Sequence, residues 1–128
     1  MSFYLEKQST TSTPYILVDE AKGYMKMSGR SFPEKPVEFF YDINAWLEGY
    51  LATSFGAFVF DFAVEYHNSS TLKVIINMLE KLDKSSVGGN KVTVNWIVAS
   101  DDDIMIEGGE DLQEDMENLE FNVVVVDD

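Results

Sequence analysis

Residues 56–86 read GAFVFDFAVEYHNSSTLKVIINMLEKLDKSS, and the stretch changes period halfway along. Phe58, Phe60, Phe62, Val64 and Tyr66 alternate with Val59, Asp61, Ala63 and Glu65. A period of two places the first set on a buried face of a β-strand and the second on a half-polar face. Further on, Leu72, Ile75, Ile76, Leu79 and Leu82 recur at helical spacing, with Lys73, Asn77, Glu80 and Lys84 around the rest of the cylinder. Between the two periods stand His67, Asn68, Ser69, Ser70 and Thr71. Such short polar side chains suit a helix N-cap, because their oxygens accept amide hydrogens that lack a partner in the first turn. Two or three hydroxyls are thereby presented at the positive end of a helix dipole, at the rim of a sheet.

Outward from this core, residues 15–19 (YILVD) and 24–28 (YMKMS) read as two strands joined by Glu20, Ala21, Lys22 and Gly23. Residues 29–36 form a loop with Pro33 and Pro36, and Pro36 suits a first helical turn. Residues 37–52 carry a helical stripe of Phe40, Ile43, Trp46, Leu47 and Tyr50, with Phe39 at its margin. Residues 91–99 (KVTVNWIVA) and 119–126 (LEFNVVVV) read as strands. Residues 101–117 are acidic; Ile104, Met105, Leu112 and Met116 fit one helical face, against the cost of Gly108 and Gly109 in a helix interior. Asp127 and Asp128 should keep the last strand from pairing with other molecules.

The order is therefore ββαβαβαβ: an antiparallel hairpin followed by parallel strands linked through helices. Asp61, Glu65, Thr93, Asn95, Glu120 and Asn122 occupy the less apolar side of their strands. Strands covered on both faces would be continuously apolar. The fold expected is an α/β two-layer sandwich, a mixed, mostly parallel sheet with helices mainly on one face. A single domain over residues 1–128 is expected, with residues 1–13 as a flexible Ser/Thr-rich tail.

The net charge of −14 repels nucleic-acid phosphates and anionic membranes, and would speed encounter with a basic protein partner. It also serves plain solubility. With no cysteine, disulfides, thiolate metal sites and cysteine nucleophiles are excluded. No signal-like apolar segment opens the chain, so the cytoplasm is the expected compartment.

His67 is the one histidine, and Ser69 and Ser70 lie too close in sequence to build a catalytic triad with it. Gly88 and Gly89 read as a loop rather than a phosphate-binding fingerprint. Asp101, Asp102, Asp103, Glu107, Glu110 and Asp111 lack calcium-loop spacing and read as a solvated helix start. No metal and no cofactor are expected. Ser69, Ser70 and Thr71 remain, either as caps or as hydroxyls a kinase could reach, with backbone amides to hold a phosphate.

Several pieces occur in a characteristic order: Ser12-Thr13-Pro14, Ser28-Gly29-Arg30-Ser31-Phe32-Pro33-Glu34, Phe39-Phe40-Tyr41 with Trp46-Leu47, and Tyr66-His67-Asn68-Ser69-Ser70 with Lys73. Val94-Asn95-Trp96 and the acidic segment from Asp101 to Asp111 complete the set. In this arrangement the chain resembles the SiaC family of bacterial regulatory phosphoproteins over nearly its whole length. The resemblance implies a fold similar to the STAS domains of anti-sigma-factor antagonists. It also implies reversible phosphorylation at the helix start by a Ser/Thr kinase, reversal by a phosphatase, and activation of a diguanylate cyclase by the unphosphorylated form. That would tie the chain to cyclic-di-GMP and biofilm control.

The family's acceptor follows the Asn, which makes it Ser69 here, with Ser70 and Thr71 as alternatives. Tyr66, His67, Asn68, Ser69, Ser70 and Lys73 are the implied partner-binding residues. The family pattern carries Thr where Ser69 stands and an aromatic where His67 stands; serine retains the hydroxyl chemistry. The leading reading is a non-enzymatic phosphoswitch. Composition alone also permits a small acidic chaperone for a secreted substrate, or a small enzyme using surface carboxylates.

Overall fold

The computed structural model describes residues 2–127. Three strands come first: β1 (Tyr4–Lys7), β2 (Tyr15–Asp19) and β3 (Tyr24–Ser31). Helices α1 (Pro36–Phe39) and α2 (Tyr41–Leu51) lead into β4 (Ala57–His67) and α3 (Ser69–Ser85). Then follow β5 (Lys91–Ala99), α4 (Asp103–Asp115) and β6 (Glu120–Val126). The sheet runs β1-β2-β3-β4-β5-β6, antiparallel through β3 and parallel from β3 to β6. Each parallel crossover steps in the same direction, so the right-handed rule sends every helix to the same face.

Burial follows that geometry. Ile16 and Val18, Met25 and Met27, Phe58, Phe60, Phe62 and Val64, and Val92, Val94 and Trp96 are all buried on the helix side. There they join Ile43 and Leu47 of α2, Ile75, Met78, Leu79 and Leu82 of α3, and Met105 and Leu112 of α4 in one core. On the open face a polar ladder crosses four strands. Tyr24 Oη donates to Asp61 Oδ2 (2.7 Å), Asn95 Nδ2 to Asp61 Oδ1 (2.8 Å), and Asn122 Nδ2 to Asn95 Oδ1 (3.1 Å). Burial, and then the bond to Asp61, push Tyr24 up to about 12, so it remains a donor. The two-layer arrangement read from these polar positions is the one observed.

The amino-terminal segment differs from expectation. Residues 4–7 are not a tail: β1 pairs with β2, Leu5 opposite Val18 and Lys7 opposite Ile16. Phe3 stacks on Trp46 at 5.4 Å, and its amide and carbonyl bond Glu20. Four strand residues are too few to display a period against the polar residues that follow. The expectations for Met1 and Asp128 lie outside the described residues. The single helix read over 37–52 is broken at Phe40, where Lys7 Nζ takes the carbonyl of Phe39 (3.1 Å) that would continue the ladder. The hairpin connection is a 3₁₀ turn closed by Gly23 at φ 61°, a left-handed position suited to glycine.

Helix α4 settles the acidic segment. Met105, Gly109 and Leu112 face inward, while Ile104, expected on the same face, is 82% exposed. Gly109 lies against the Trp96 indole, which donates to Met105 O at 2.9 Å. Residues 117–119 are tied to α3 by Asp83, whose carboxylate accepts their three amides at 2.8–3.3 Å. Burial raises that carboxyl, but the three amides outweigh it and hold it below its usual value.

A Cβ at Gly109 would collide with the indole, 2.7 Å from Trp96 Nε1, whereas Gly108 faces open space. Gly109→Ala should therefore destabilise by about 1–3 kcal/mol through overpacking. Gly108→Ala should be neutral or stabilise by up to about 1 kcal/mol. Urea unfolding of both variants checks this; equal stabilities would contradict the packing.

Candidate functional site

The decisive local feature is one extra residue in β4. Its register with β3 runs Gly29↔Val64 and then Arg30↔Tyr66, so Glu65 has no partner. Such a bulge reverses the side-chain alternation beyond it. Tyr66, expected to point with Phe62 and Val64, instead emerges on the other side and is 45% exposed. His67 turns inward, edge-on to Phe62 and Trp96 with both centroid distances 6.4 Å. The Arg30 guanidinium sits 5.0 Å from the Tyr66 ring and 5.6 Å from Phe32, and those two rings meet edge to face at 5.7 Å.

Helix α3 begins immediately beyond. Asn68 is its cap: extended at φ −88°, ψ 175°, it accepts the Thr71 amide on Oδ1 at 2.9 Å. Ser69, expected as a cap, is instead the first helical residue. The two following hydroxyls part company from the third. Ser69 and Ser70 are exposed. Thr71 is fully buried, its hydroxyl donating to Ser31 O (3.1 Å) and lying 3.1 Å from Ser31 Oγ. Ser31 O also accepts the Asn68 amide at 3.2 Å. Of the three candidate acceptors, burial takes Thr71 out of a kinase's reach. Lys73 is exposed one turn after Ser69.

The implied partner-binding residues are thus contiguous but unequal: Tyr66, Ser69, Ser70 and Lys73 face solvent, Asn68 caps, and His67 forms a wall. That wall borders a groove of about 360 Å³ between α3 and α4, with Leu72, Ile76, Met105 and Leu112 beneath and Asp111 and Asp115 at the rim. Exposed Ile104 stands at its mouth. Burial lowers the His67 pKa, with Asp102 pulling weakly the other way. His67 Nδ1 is buried without a partner among the described residues. Asp102 caps α4, accepting the Met105 amide at 3.2 Å, while Asp101, Asp103, Glu107, Glu110 and Asp111 point to solvent. This surface offers an accessible hydroxyl, aromatic and apolar contacts and negative charge. The sequence alone puts Ile104 on the inward face of its helix and gives no placement for Arg30, the sole arginine in the chain.

The cap and the exposed hydroxyl are therefore separate residues. Asn68→Ala should cost about 1 kcal/mol (range about 0.5–2), and Ser69→Ala far less; thermal unfolding of both checks the assignment. A second expectation concerns pH. The folded His67 pKa is depressed, so the unfolded chain takes the proton first. Its contribution is intact above about pH 6.5 and is lost as pH falls through the lower folded value. His67→Phe should flatten the decline in Tm between about pH 7 and 5.5; an unchanged slope would contradict this placement.

Comparison with known proteins agrees with the fold. The sequence model of the SiaC family, described as regulatory phosphoproteins, matches residues 7–126. A protein of Pseudomonas aeruginosa (strain UCBPP-PA14) is 31% identical over 106 residues, covering 83% of this chain and 84% of its own length. The structure of SiaC of Pseudomonas aeruginosa superposes with a TM-score of 0.86 at 27% identity, covering 97% of this chain and 99% of its own. A chain in the crystal structure of the diguanylate cyclase SiaD in complex with its activator SiaC, from the same organism, superposes at 0.84 with 28% identity and the same coverage. No helix of the described residues is long and apolar enough to cross a membrane. The chain belongs to the SiaC family of regulatory phosphoproteins.

Proposed function

We propose that this chain is a non-enzymatic phosphoswitch whose unphosphorylated form binds and activates a diguanylate cyclase. The observation that carries the reading is Ser69: an exposed hydroxyl at the first position of α3, on a helix start fixed by other residues. A Ser/Thr kinase adds phosphate to Ser69 and a phosphatase removes it. The partner surface runs from Tyr66 through His67, Asn68, Ser69 and Ser70 to Lys73. Support comes from the relative SiaC, which stands in complex with SiaD as its activator.

The physics of the switch is local. Phosphorylation adds roughly −1.5 to −2 charges at neutral pH. The amides of Ser69 and Ser70 precede the first intrahelical bonds and, with the dipole, accommodate an anion without unfolding the helix. A partner packed over the first turn meets bulk and charge instead of a small neutral hydroxyl. It loses contacts while the fold persists. Among the described residues no nucleophile, base and orienting group converge around His67, whose Nδ1 has no hydrogen-bond partner there.

Co-expression with the cognate kinase should place the phosphate on Ser69 by mass spectrometry. Ser69→Asp should weaken effector binding at least about tenfold, or about 1.4 kcal/mol, with unchanged Tm. Ser69→Ala should bind normally and resist the kinase. Phosphate found on Ser70 alone, or Ser69→Asp binding like the parent, would overturn the assignment.

A further inference from the structure

We propose that the groove between α3 and α4 receives an amphipathic helix of the diguanylate cyclase, apolar along its ridge and basic where it crosses Asp111 and Asp115, with Gly108 as the point of closest approach. The inference rests on the unphosphorylated chain binding such an effector, and adds where the effector docks and through which kind of segment.

The shape of the groove selects a helix. Helices α3 and α4 leave the same edge of the sheet, from the ends of β4 and β5, and form the two sides of the groove. Leu72 and Ile76 line it one turn apart on α3, and Ile104, Gly108, Asp111 and Asp115 line it at successive turns of α4. The α4 side therefore extends about 16 Å along the helix axis. A trough between two helices is filled by the side-chain ridge of a third. At its mouth Ile104 is 82% exposed, a large apolar side chain that the rest of the described chain leaves uncovered.

Gly108 is an independent sign. A glycine in a helix interior weakens the helix relative to alanine. Its neighbour Gly109 has a packing reason, the Trp96 indole, but a Cβ at Gly108 would meet nothing within 4 Å. The fold gives no reason for the missing side chain, whereas the groove does: without it, the backbone or a side chain of a docked segment approaches α4 closely.

Charge orients the segment. Helix α4 contains no lysine or arginine, and the groove is lined by none. Exposed Asp111 and Asp115 lie toward the carboxy-terminal end of α4, away from Ser69, and there they attract basic side chains. At the other end Ser69 stands on the same side of α3 as Leu72 and Ile76, three and seven residues on. The exposed charge beside it on α3 is Lys73, so that end of the docked helix needs no cation. A phosphate on Ser69 acts there through its bulk, at the head of the groove.

The test is calorimetry of the full chain with the cognate diguanylate cyclase, each variant also being melted. Gly108→Leu fills the open space over α4 and should lower affinity at least about tenfold, with Tm unchanged or higher. Ile104→Asp should do the same, because its side chain is exposed in the free protein. Asp111→Lys combined with Asp115→Lys should weaken binding and flatten its dependence on salt. In the parent, the Ile104 methyl resonances should shift as the cyclase is added, a readout that needs no substitution. Gly108→Leu or Ile104→Asp binding like the parent, or unmoved methyl resonances, would overturn the docking site. Phosphoserine installed at position 69 and measured alongside separates the two readings. Binding lost with phosphoserine but kept in the groove variants leaves the phosphoswitch standing without the groove. Binding lost in the groove variants but kept with phosphoserine supports the groove and removes the phosphoswitch. A parent chain that does not bind the cyclase removes both.

Discussion

The start of α3 is bolted to β3 by two hydroxyls that never see water. Thr71 donates to the carbonyl of Ser31, the two side-chain oxygens lie 3.1 Å apart, and both residues are fully buried. Buried polar groups are tolerated only when paired, and leaving one orphaned costs about 1–3 kcal/mol. The pair therefore specifies the junction as well as holding it. With Asn68 capping from outside and its own amide on Ser31 O, three contacts fix the helix start before Ser69 contributes anything.

That division of labour is what makes a surface switch physically workable. A modified residue that also capped its helix would change stability whenever its charge changed. Here the cap belongs to Asn68, so in the proposed switch a charge added at Ser69 sits at the end of a dipole that favours anions. The bulge at Glu65 completes the arrangement. It sends Tyr66 outward to Arg30 and Phe32 and turns His67 into the groove wall, so adjacent residues serve surface and core.

Much of this is legible in the amino-acid sequence. The strand–cap–helix reading of residues 56–86 stands, because periods of 2 and 3.6 are direct consequences of backbone geometry. Asp61, Asn95 and Asn122 announced the open face because a covered sheet would not carry them. What escaped reading has physical causes. A bulge depends on the partner strand's register, so alternation alone puts Tyr66 on the wrong face. Beside the break at Phe40, the carbonyl of Phe39 is bonded by Lys7, more than thirty residues away. Gly109 looked like a helix weakness because its reason, the face of Trp96, lies on another element. Asn68, Ser69 and Ser70 were visible as a polar helix start. Which of them caps and which is free is set by dihedral angles, and Arg30's place by strand pairing.

The central claim is that charge at Ser69 governs partner binding without altering the fold. Calorimetry with the diguanylate cyclase effector, on unmodified protein and protein bearing phosphoserine at 69, tests it most directly when amide exchange is recorded on both. The account predicts affinity lower by at least about tenfold, with protection in α3 and β4 unchanged. Equal affinities, or loss of affinity accompanied by loss of α3 protection, would contradict it.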